Sequence, residues 1–103
     1  MDFIKELPIS SHYEEIRDWW FKYGSFAIKS PTGSGKSLGL PLFFYKEGLV
    51  KGKIFVVQPR RIAARSLARV ASRFCQSELG EEVGYRVRFD TKVSSATKVV
   101  YLT

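Results

Sequence analysis

The order of apolar and polar residues along the chain predicts an α/β fold. In the first quarter, apolar side chains spaced by three and four residues predict a helix. A capping box formed by Ser11 and Glu14 should begin this helix, and Gly24 should end it. We interpret its apolar stripe as part of the core rather than as a stacking platform for bases; the stripe consists of Tyr13, Ile16, Trp19, Trp20 and Tyr23. A short buried strand over 25–29 and an apolar helix over 38–45 are predicted next, and Pro41 should bend that helix.

The rest of the chain continues this alternation. The uninterrupted apolar run 53–58 predicts a strand buried on both faces of a parallel sheet, and the helical spacing over 60–76 predicts a long helix with one face on that sheet. Residues 83–89 alternate as an exposed or half-buried strand does, 90–96 form a turn-rich loop, and 97–103 form a last strand. Two strands joined by a helix make a βαβ unit with a right-handed crossover.

Composition and charge narrow the function classes. The chain has 103 residues and a net charge of +7, and seven basic residues but no acid stand between Gly48 and Ser77, which favours a polyanionic partner. No apolar run approaches the roughly 20 residues of a membrane span, and no signal-peptide core is visible. The single cysteine, Cys75, excludes an internal disulfide and is interpreted as a packing residue. We therefore expect the reducing cytoplasm, or the nucleus of a eukaryotic cell, as the compartment.

The stretch from Ser30 to Ser37 carries the clearest chemistry. Its letters, S-P-T-G-S-G-K-S, follow the predicted strand and precede an apolar helix, as the phosphate-binding loop of nucleotide-binding proteins does. Glycines at 33 and 35 let backbone N–H groups converge on a polyphosphate, Lys36 would reach the β- and γ-phosphates, and the Ser37 hydroxyl would ligate Mg²⁺. The loop departs from the general pattern at Ser30, where a glycine is usual.

Arginines follow the second strand. Those at 61, 65, 69 and 73 are spaced by four and share a drifting stripe on the long helix. We interpret Arg69 and Arg73 as a solvated face. Arg60 and Arg61 differ, because they follow the carboxyl end of a strand, where open α/β sheets bind ligands.

These motifs, in this order, resemble the first half of the N-terminal RecA-like domain of a DEAH-box (DExH) ATP-dependent RNA helicase of superfamily 2. The resemblance covers nearly the whole chain. It rests on Leu7-Pro8-Ile9, P-T-G-S-G-K-S as motif I, Q-P-R-R-I-A-A-R-S-L-A as motif Ia, V-G-Y-R-V-R-F-D and the closing Y-L-T. It implies a three-layer αβα P-loop NTPase fold with a mostly parallel sheet, here half a domain. Residues 1–103 would form part of the helicase ATP-binding domain, and 1–24 would be the segment and helix before the phosphate loop.

The resemblance also implies ligands and roles. ATP phosphates and Mg²⁺ would be held by Thr32, Gly33, Ser34, Gly35, Lys36 and Ser37, with Lys36 the catalytic residue and Ser37 the metal ligand. Arg60, Arg61 and Thr103 would contact the backbone of single-stranded RNA without reading its sequence. The parent protein would couple ATP hydrolysis to movement along RNA, and the rest of the helicase chain would be a partner.

Three departures qualify these roles. Gly39 stands where the family commonly carries glutamine. The D-E-x-H motif that completes the Mg²⁺ site has no counterpart in the 103 residues, so we expect weak nucleotide binding and no useful hydrolysis by this chain. Ser95-Ala96-Thr97 matches the family's S-A-T motif only by coincidence, because it precedes the strand before the D-E-x-H position.

Two alternatives stay open. A non-catalytic, basic RNA-binding module with a vestigial phosphate loop would bind RNA equally well with and without ATP. A small stand-alone P-loop kinase would need an acid after an apolar strand, and neither 53–58 nor 98–102 ends in one.

Overall fold

The computed structural model describes Lys5 and residues 7–24 and 35–103. The predicted strand over 25–29 and loop residues 30–34, which include Thr32, Gly33 and Ser34, lie outside the described residues. The described elements, in chain order, are a 3₁₀ helix Pro8–His12, α1 Tyr13–Tyr23, α2 Lys36–Lys46, β1 Ile54–Val57, α3 Arg61–Phe74, β2 Val83–Val87, β3 Asp90–Lys92 and β4 Val99–Leu102.

The described strands form one sheet in the order β1-β4-β2-β3. Strand β4 runs parallel to both β1 and β2, with Leu102 opposite Val57 on one side and Arg86 on the other. Strand β3 pairs antiparallel with β2. The mostly parallel α/β sheet predicted from the sequence is therefore confirmed.

Helix α3 covers the centre of the sheet and contacts β2 and β4. It presents a face of small residues, and Ala64, Ala68 and Ala71 are fully buried. Small side chains allow the helix backbone to approach the sheet closely, so that Val83, Val99 and Tyr101 fill the space beneath it. The predicted packing of one helix face on the sheet is confirmed. Arg69 and Arg73 are exposed on the outside, as expected.

The start of α1 differs from the prediction. The capping box is wrong, because the helix begins after His12, and the Ser11 hydroxyl instead donates to the carbonyl of Pro8 at 3.3 Å. Pro8 fixes a 3₁₀ turn ahead of the helix, which places Ser11 inside that turn. The helix does end at Gly24, whose φ of +74° suits a residue without a side chain.

The aromatic stripe of α1 is only partly core. Tyr13 stacks on Phe43 with ring centroids 4.4 Å apart, and Ile16 is buried beside it. Trp20 donates its indole N–H to the carbonyl of Leu49 at 3.2 Å. In contrast, Trp19 and Tyr23 are 37% and 62% exposed.

Strand β1 is not buried on both faces, so this prediction is wrong. Phe55 and Val57 are 61% and 71% exposed, while Ile54 and Val56 are half-buried. The reason is the position of β1 at the edge of the described sheet. Helix α3 lies over β2 and β4 and so does not cover the face of β1 that carries Phe55 and Val57. An uninterrupted apolar run predicts burial only when both faces have covering layers.

Two further sequence expectations need correction in the second half. Strand β2 is more buried than its alternation predicted, since Val83, Gly84, Tyr85 and Val87 are buried and only Arg86 is exposed. The predicted loop 90–96 begins with strand β3, which closes a tight hairpin on β2. Thr97 is fully buried and donates to the carbonyl of Gly80 at 3.0 Å.

Candidate nucleotide and nucleic-acid site

Gly35 marks the start of α2 and has a left-handed φ of +85°. A side chain there would be strained, and its Cβ would lie 3.0 Å from the Cβ of Leu7, so both backbone and packing require glycine. The helix begins directly afterwards. The amides of Leu38 and Gly39 donate to the carbonyl of Gly35, so the N–H groups of Lys36 and Ser37 are those that this helix start can offer to an anion. Lys36 is exposed and Ser37 is half-buried at this end.

A hydrogen bond from the sheet holds the first turn of α2. Pro41 has no N–H to give to the carbonyl of Ser37 four residues earlier, and its ring pushes that carbonyl aside. The hydroxyl of Tyr101, on β4, donates to this carbonyl at 2.9 Å. Tyr101 is fully buried, and burial raises the pKa of its phenol. Strand β4 therefore fixes the position of Ser37.

Gly39 has no room for a side chain. A Cβ at this position would lie 2.9 Å from Cδ1 of Leu7 and 3.1 Å from Cγ2 of Ile9, and closer still to the hydroxyl of Tyr13. The Tyr13 hydroxyl is buried without a hydrogen-bond partner in the described part of the chain, and burial raises its pKa to about 12. The packing of α1 against α2 therefore leaves no room at position 39 for the glutamine that the family commonly carries.

A cavity of about 420 Å³ separates α2 from β1. Lys36 and Ser37 line it at one end together with Gln58, which directly follows β1. The other described residues that line it are apolar, with Leu40 and Phe44 from the helix among them. The fold thus brings the end of the predicted phosphate loop and the beginning of the predicted motif Ia to one cavity.

The predicted RNA-contacting residues lie at the carboxyl edge of the sheet. Arg60 and Arg61 are exposed where α3 begins, and the first turn of that helix contains no acidic residue. Thr103 is exposed directly after β4. The amide of Gln58 donates to the carbonyl of Leu102 at 2.7 Å, so the two strand ends lie side by side. The positive end of the α3 dipole adds to the arginine charges and suits a phosphate group.

Sequence reasoning missed the ion pair between Arg65 and Asp90. Arg65 Nη1 lies 3.1 Å from Asp90 Oδ2, and the hydroxyl of Tyr85 donates to the same oxygen at 2.9 Å. The Tyr85 bond and the nearby Arg65 charge lower the pKa of the Asp90 carboxyl. No local signal in the sequence joins these residues, because 25 positions separate Arg65 from Asp90.

Other polar clusters serve packing. The hydroxyl of Tyr45 donates to a Glu82 carboxylate oxygen, and this bond together with burial raises the pKa of Tyr45 to about 12. Cys75 is buried, and its pKa is raised by that burial, which agrees with a packing role.

Among the described residues, no group of three or more His, Cys, Asp or Glu side chains could hold a metal ion. None of the described helices is long and apolar enough to cross a membrane.

The mostly parallel sheet, with a helix that starts at Gly35 beside it, has the α/β architecture of a partial RecA-like domain of the P-loop class. The chain is 40% identical over 99 residues to the ATP-dependent RNA helicase HrpA of Borreliella burgdorferi, covering 95% of this chain and 12% of that protein. It is 39% identical over 101 residues to the pre-mRNA-splicing factor ATP-dependent RNA helicase DEAH10 of Arabidopsis thaliana, covering 96% and 14%. It is 38% identical over 100 residues to the ATP-dependent RNA helicase DHX33 of Drosophila melanogaster, again covering 96% and 14%.

The chain belongs to the DEAH-box family of ATP-dependent RNA helicases, as its motifs predicted. It spans only 12–14% of the length of these curated relatives. No protein-family model matches it.

Proposed function

We propose that this chain holds the phosphates of ATP and the backbone of single-stranded RNA as part of the first RecA-like domain of a DEAH-type helicase. One observation carries the proposal: β4 joins the two sites. Its Tyr101 holds the carbonyl of Ser37 at 2.9 Å, and Thr103 directly follows the strand. In this proposal residues 1–103 belong to one partial domain, and 1–24 precede the phosphate loop.

On the nucleotide side, Lys36 is the catalytic residue, because its ammonium group reaches the phosphates where charge accumulates during phosphoryl transfer. The N–H groups of Lys36 and Ser37, at the start of α2, cradle the phosphate oxygens together with the loop residues Thr32 to Gly35. The Ser37 hydroxyl would be this chain's ligand to a Mg²⁺ ion bound with the nucleotide, and that ion would supply positive charge to offset the charge of the phosphates. The Tyr101 bond to the Ser37 carbonyl keeps that residue in place.

On the RNA side, Arg60 and Arg61 neutralise phosphates at the start of α3, and Thr103 donates its hydroxyl to a neighbouring phosphate. These contacts position a strand and carry no sequence information. Because the strands that precede Arg60 and Thr103 are adjacent, one RNA segment reaches both.

Hydrolysis needs parts outside this sequence. The D-E-x-H acids that orient the attacking water are absent from the 103 residues. We therefore expect the chain by itself to bind ATP weakly and to hydrolyse none at a useful rate, whereas the parent protein couples hydrolysis to strand movement. A turnover similar to that of a complete helicase, abolished by Lys36→Ala, would contradict this expectation.

Nucleotide binding is tested by titrating a fluorescent ATP analogue with Mg²⁺. Lys36→Ala should weaken binding by about tenfold or more, since it removes a charge-assisted contact. Lys98→Ala is the matched control, because it removes the same charge from an exposed residue at the amino end of β4 and should change nothing. Equal affinities for all three proteins would contradict an ATP site at α2.

RNA binding is tested by the salt dependence of affinity for a single-stranded oligonucleotide. The double variant Arg60→Ala/Arg61→Ala should lower the slope by about 0.7 for each lost phosphate contact. Arg69→Ala/Arg73→Ala removes the same charge from the same helix and should leave the slope nearly unchanged. Equal RNA affinity with and without ATP, and with Lys36→Ala, would instead favour the RNA-binding module with a vestigial loop.

A further inference from the structure

The side chain of Leu7 lies across the start of α2, and no step of the proposed function involves it. A Cβ added to Gly35 would lie 3.0 Å from the Cβ of Leu7 and 3.2 Å from each of its δ-carbons. A Cβ added to Gly39, one helical turn later, would lie 2.9 Å from the Cδ1 of the same leucine. The two glycines therefore leave a groove on one face of the first turn, and Leu7 fills it.

A short turn fixes this side chain in place. Pro8 begins the 3₁₀ helix directly after Leu7, and the amide of Ser10 donates to the Leu7 carbonyl at 2.9 Å. Ile9, in the same turn, is buried in the core. Leu7 is therefore presented to α2 by a turn that is itself anchored.

Gly35 needs such a contact because its own backbone imposes no conformation. Its φ is +85°, and a glycine populates positive and negative φ about equally readily. The N–H groups of Lys36 and Ser37, which the helix start offers to an anion, follow directly after it. Any conformational freedom that Gly35 keeps in the empty site is lost when phosphates bind, and that loss of entropy weakens binding. A side chain packed against Gly35 removes part of this freedom before the nucleotide arrives.

We propose that Leu7 is a positioning residue for the nucleotide: its side chain holds Gly35 in the conformation that directs the amides of Lys36 and Ser37 to the phosphates. The inference rests on the ATP-binding function proposed above, and it adds a residue from the segment before α1. Leu7 touches no phosphate and acts only through Gly35.

The test titrates a fluorescent ATP analogue, with Mg²⁺, into the unmodified chain and two variants at position 7. Leu7→Ala should weaken binding by about threefold to tenfold, since part of the ordering of Gly35 must then come from the nucleotide. Leu7→Met nearly conserves the volume of the side chain and should bind like the unmodified chain. The salt slope for a single-stranded oligonucleotide should be the same for all three proteins, because no RNA phosphate contact is altered. If Leu7→Ala does not fold, Leu7→Val is the smaller truncation, with an expected loss of about twofold to threefold.

A matched leucine and hydrogen exchange separate positioning from stability. Leu79, in the connector before β2, is also half-buried against the core, so Leu79→Ala should lower the melting temperature without changing affinity for the analogue. Leu7→Ala should speed exchange of the Leu38 and Gly39 amides relative to the rest of α2, because both donate to the carbonyl of Gly35. Leu79→Ala should leave that ratio unchanged.

Failure of the Leu7 role and failure of the nucleotide site give different results. Equal weakening of analogue binding by Leu7→Ala and Leu79→Ala would overturn the inference, because the effect would then follow stability alone. Unchanged binding by Leu7→Ala, alongside weakened binding by Lys36→Ala, would overturn the role of Leu7 and leave the nucleotide site standing. Absence of analogue binding by the unmodified chain would overturn both proposals.

Discussion

The hydrogen bond between Tyr101 and Ser37 allows a quantitative test of how the sheet positions the phosphate loop. Tyr101→Phe removes only the hydroxyl and leaves the carbonyl of Ser37 without its partner at 2.9 Å. Tyr101 is fully buried and its hydroxyl replaces an N–H that Pro41 lacks, so the cost should exceed that of an exposed bond. Leaving a buried acceptor unpaired costs about 1–3 kcal/mol. In a domain of this size each kcal/mol lowers the melting temperature by about 4–8 °C.

The control is a double-mutant cycle with Pro41→Ala, measured by urea and thermal unfolding. Alanine at position 41 restores an N–H that can donate to Ser37 within the helix, so Tyr101→Phe should cost less than about 1 kcal/mol in that background. Tyr101→Phe in the original background should also weaken binding of the ATP analogue, because Ser37 is less constrained. The reasoning is refuted if Tyr101→Phe costs the same in both backgrounds, or leaves both stability and nucleotide affinity unchanged.

Two further predictions concern packing and acid sensitivity. Gly39→Ala should destabilise the chain by about 1–3 kcal/mol through overpacking. The cost should be smaller when it is combined with Tyr13→Phe, which removes the hydroxyl nearest to the added Cβ and is by itself neutral or stabilising. Equal costs of Gly39→Ala in thermal unfolding with and without Tyr13→Phe would exclude this contact. The pKa of Asp90 is lowered from its ordinary 3.8, so its contribution to stability is complete above that pH and is lost as the pH falls through the lowered folded-state value. Asp90→Asn should therefore remove part of the acid destabilisation seen in urea unfolding between about pH 6 and pH 2.

Much of the architecture follows from local sequence patterns. The helix over 61–74 was predicted within two residues at each end, because its apolar positions repeat at helical spacing and Pro59 precedes it. The strand pattern of the last seven residues also predicted β4. Local patterns failed where a neighbouring element decides the outcome: Pro8 sets a 3₁₀ turn that displaces the predicted capping box, and the edge position of β1 exposes Phe55 and Val57.

The exposed edge has a consequence for the isolated chain. Among the described strands β1 has a neighbour on one side only, so backbone groups on its other side, flanked by Phe55 and Val57, offer a template on which another strand can pair. The strand order β1-β4-β2-β3 identifies this edge, which no local pattern in the sequence specifies.

The candidate site also has parts that the sequence determined and parts that only the tertiary structure decided. By itself the sequence determined the phosphate-loop motif, the arginines after the second strand and the membership in the helicase family, because each depends on residues close together in the chain. The tertiary structure alone decided that Tyr101 holds Ser37 across 64 positions and that Asp90 meets Arg65 across 25. These contacts depend on strand order and register, which no local pattern specifies, since they arise only when distant segments pack against one another.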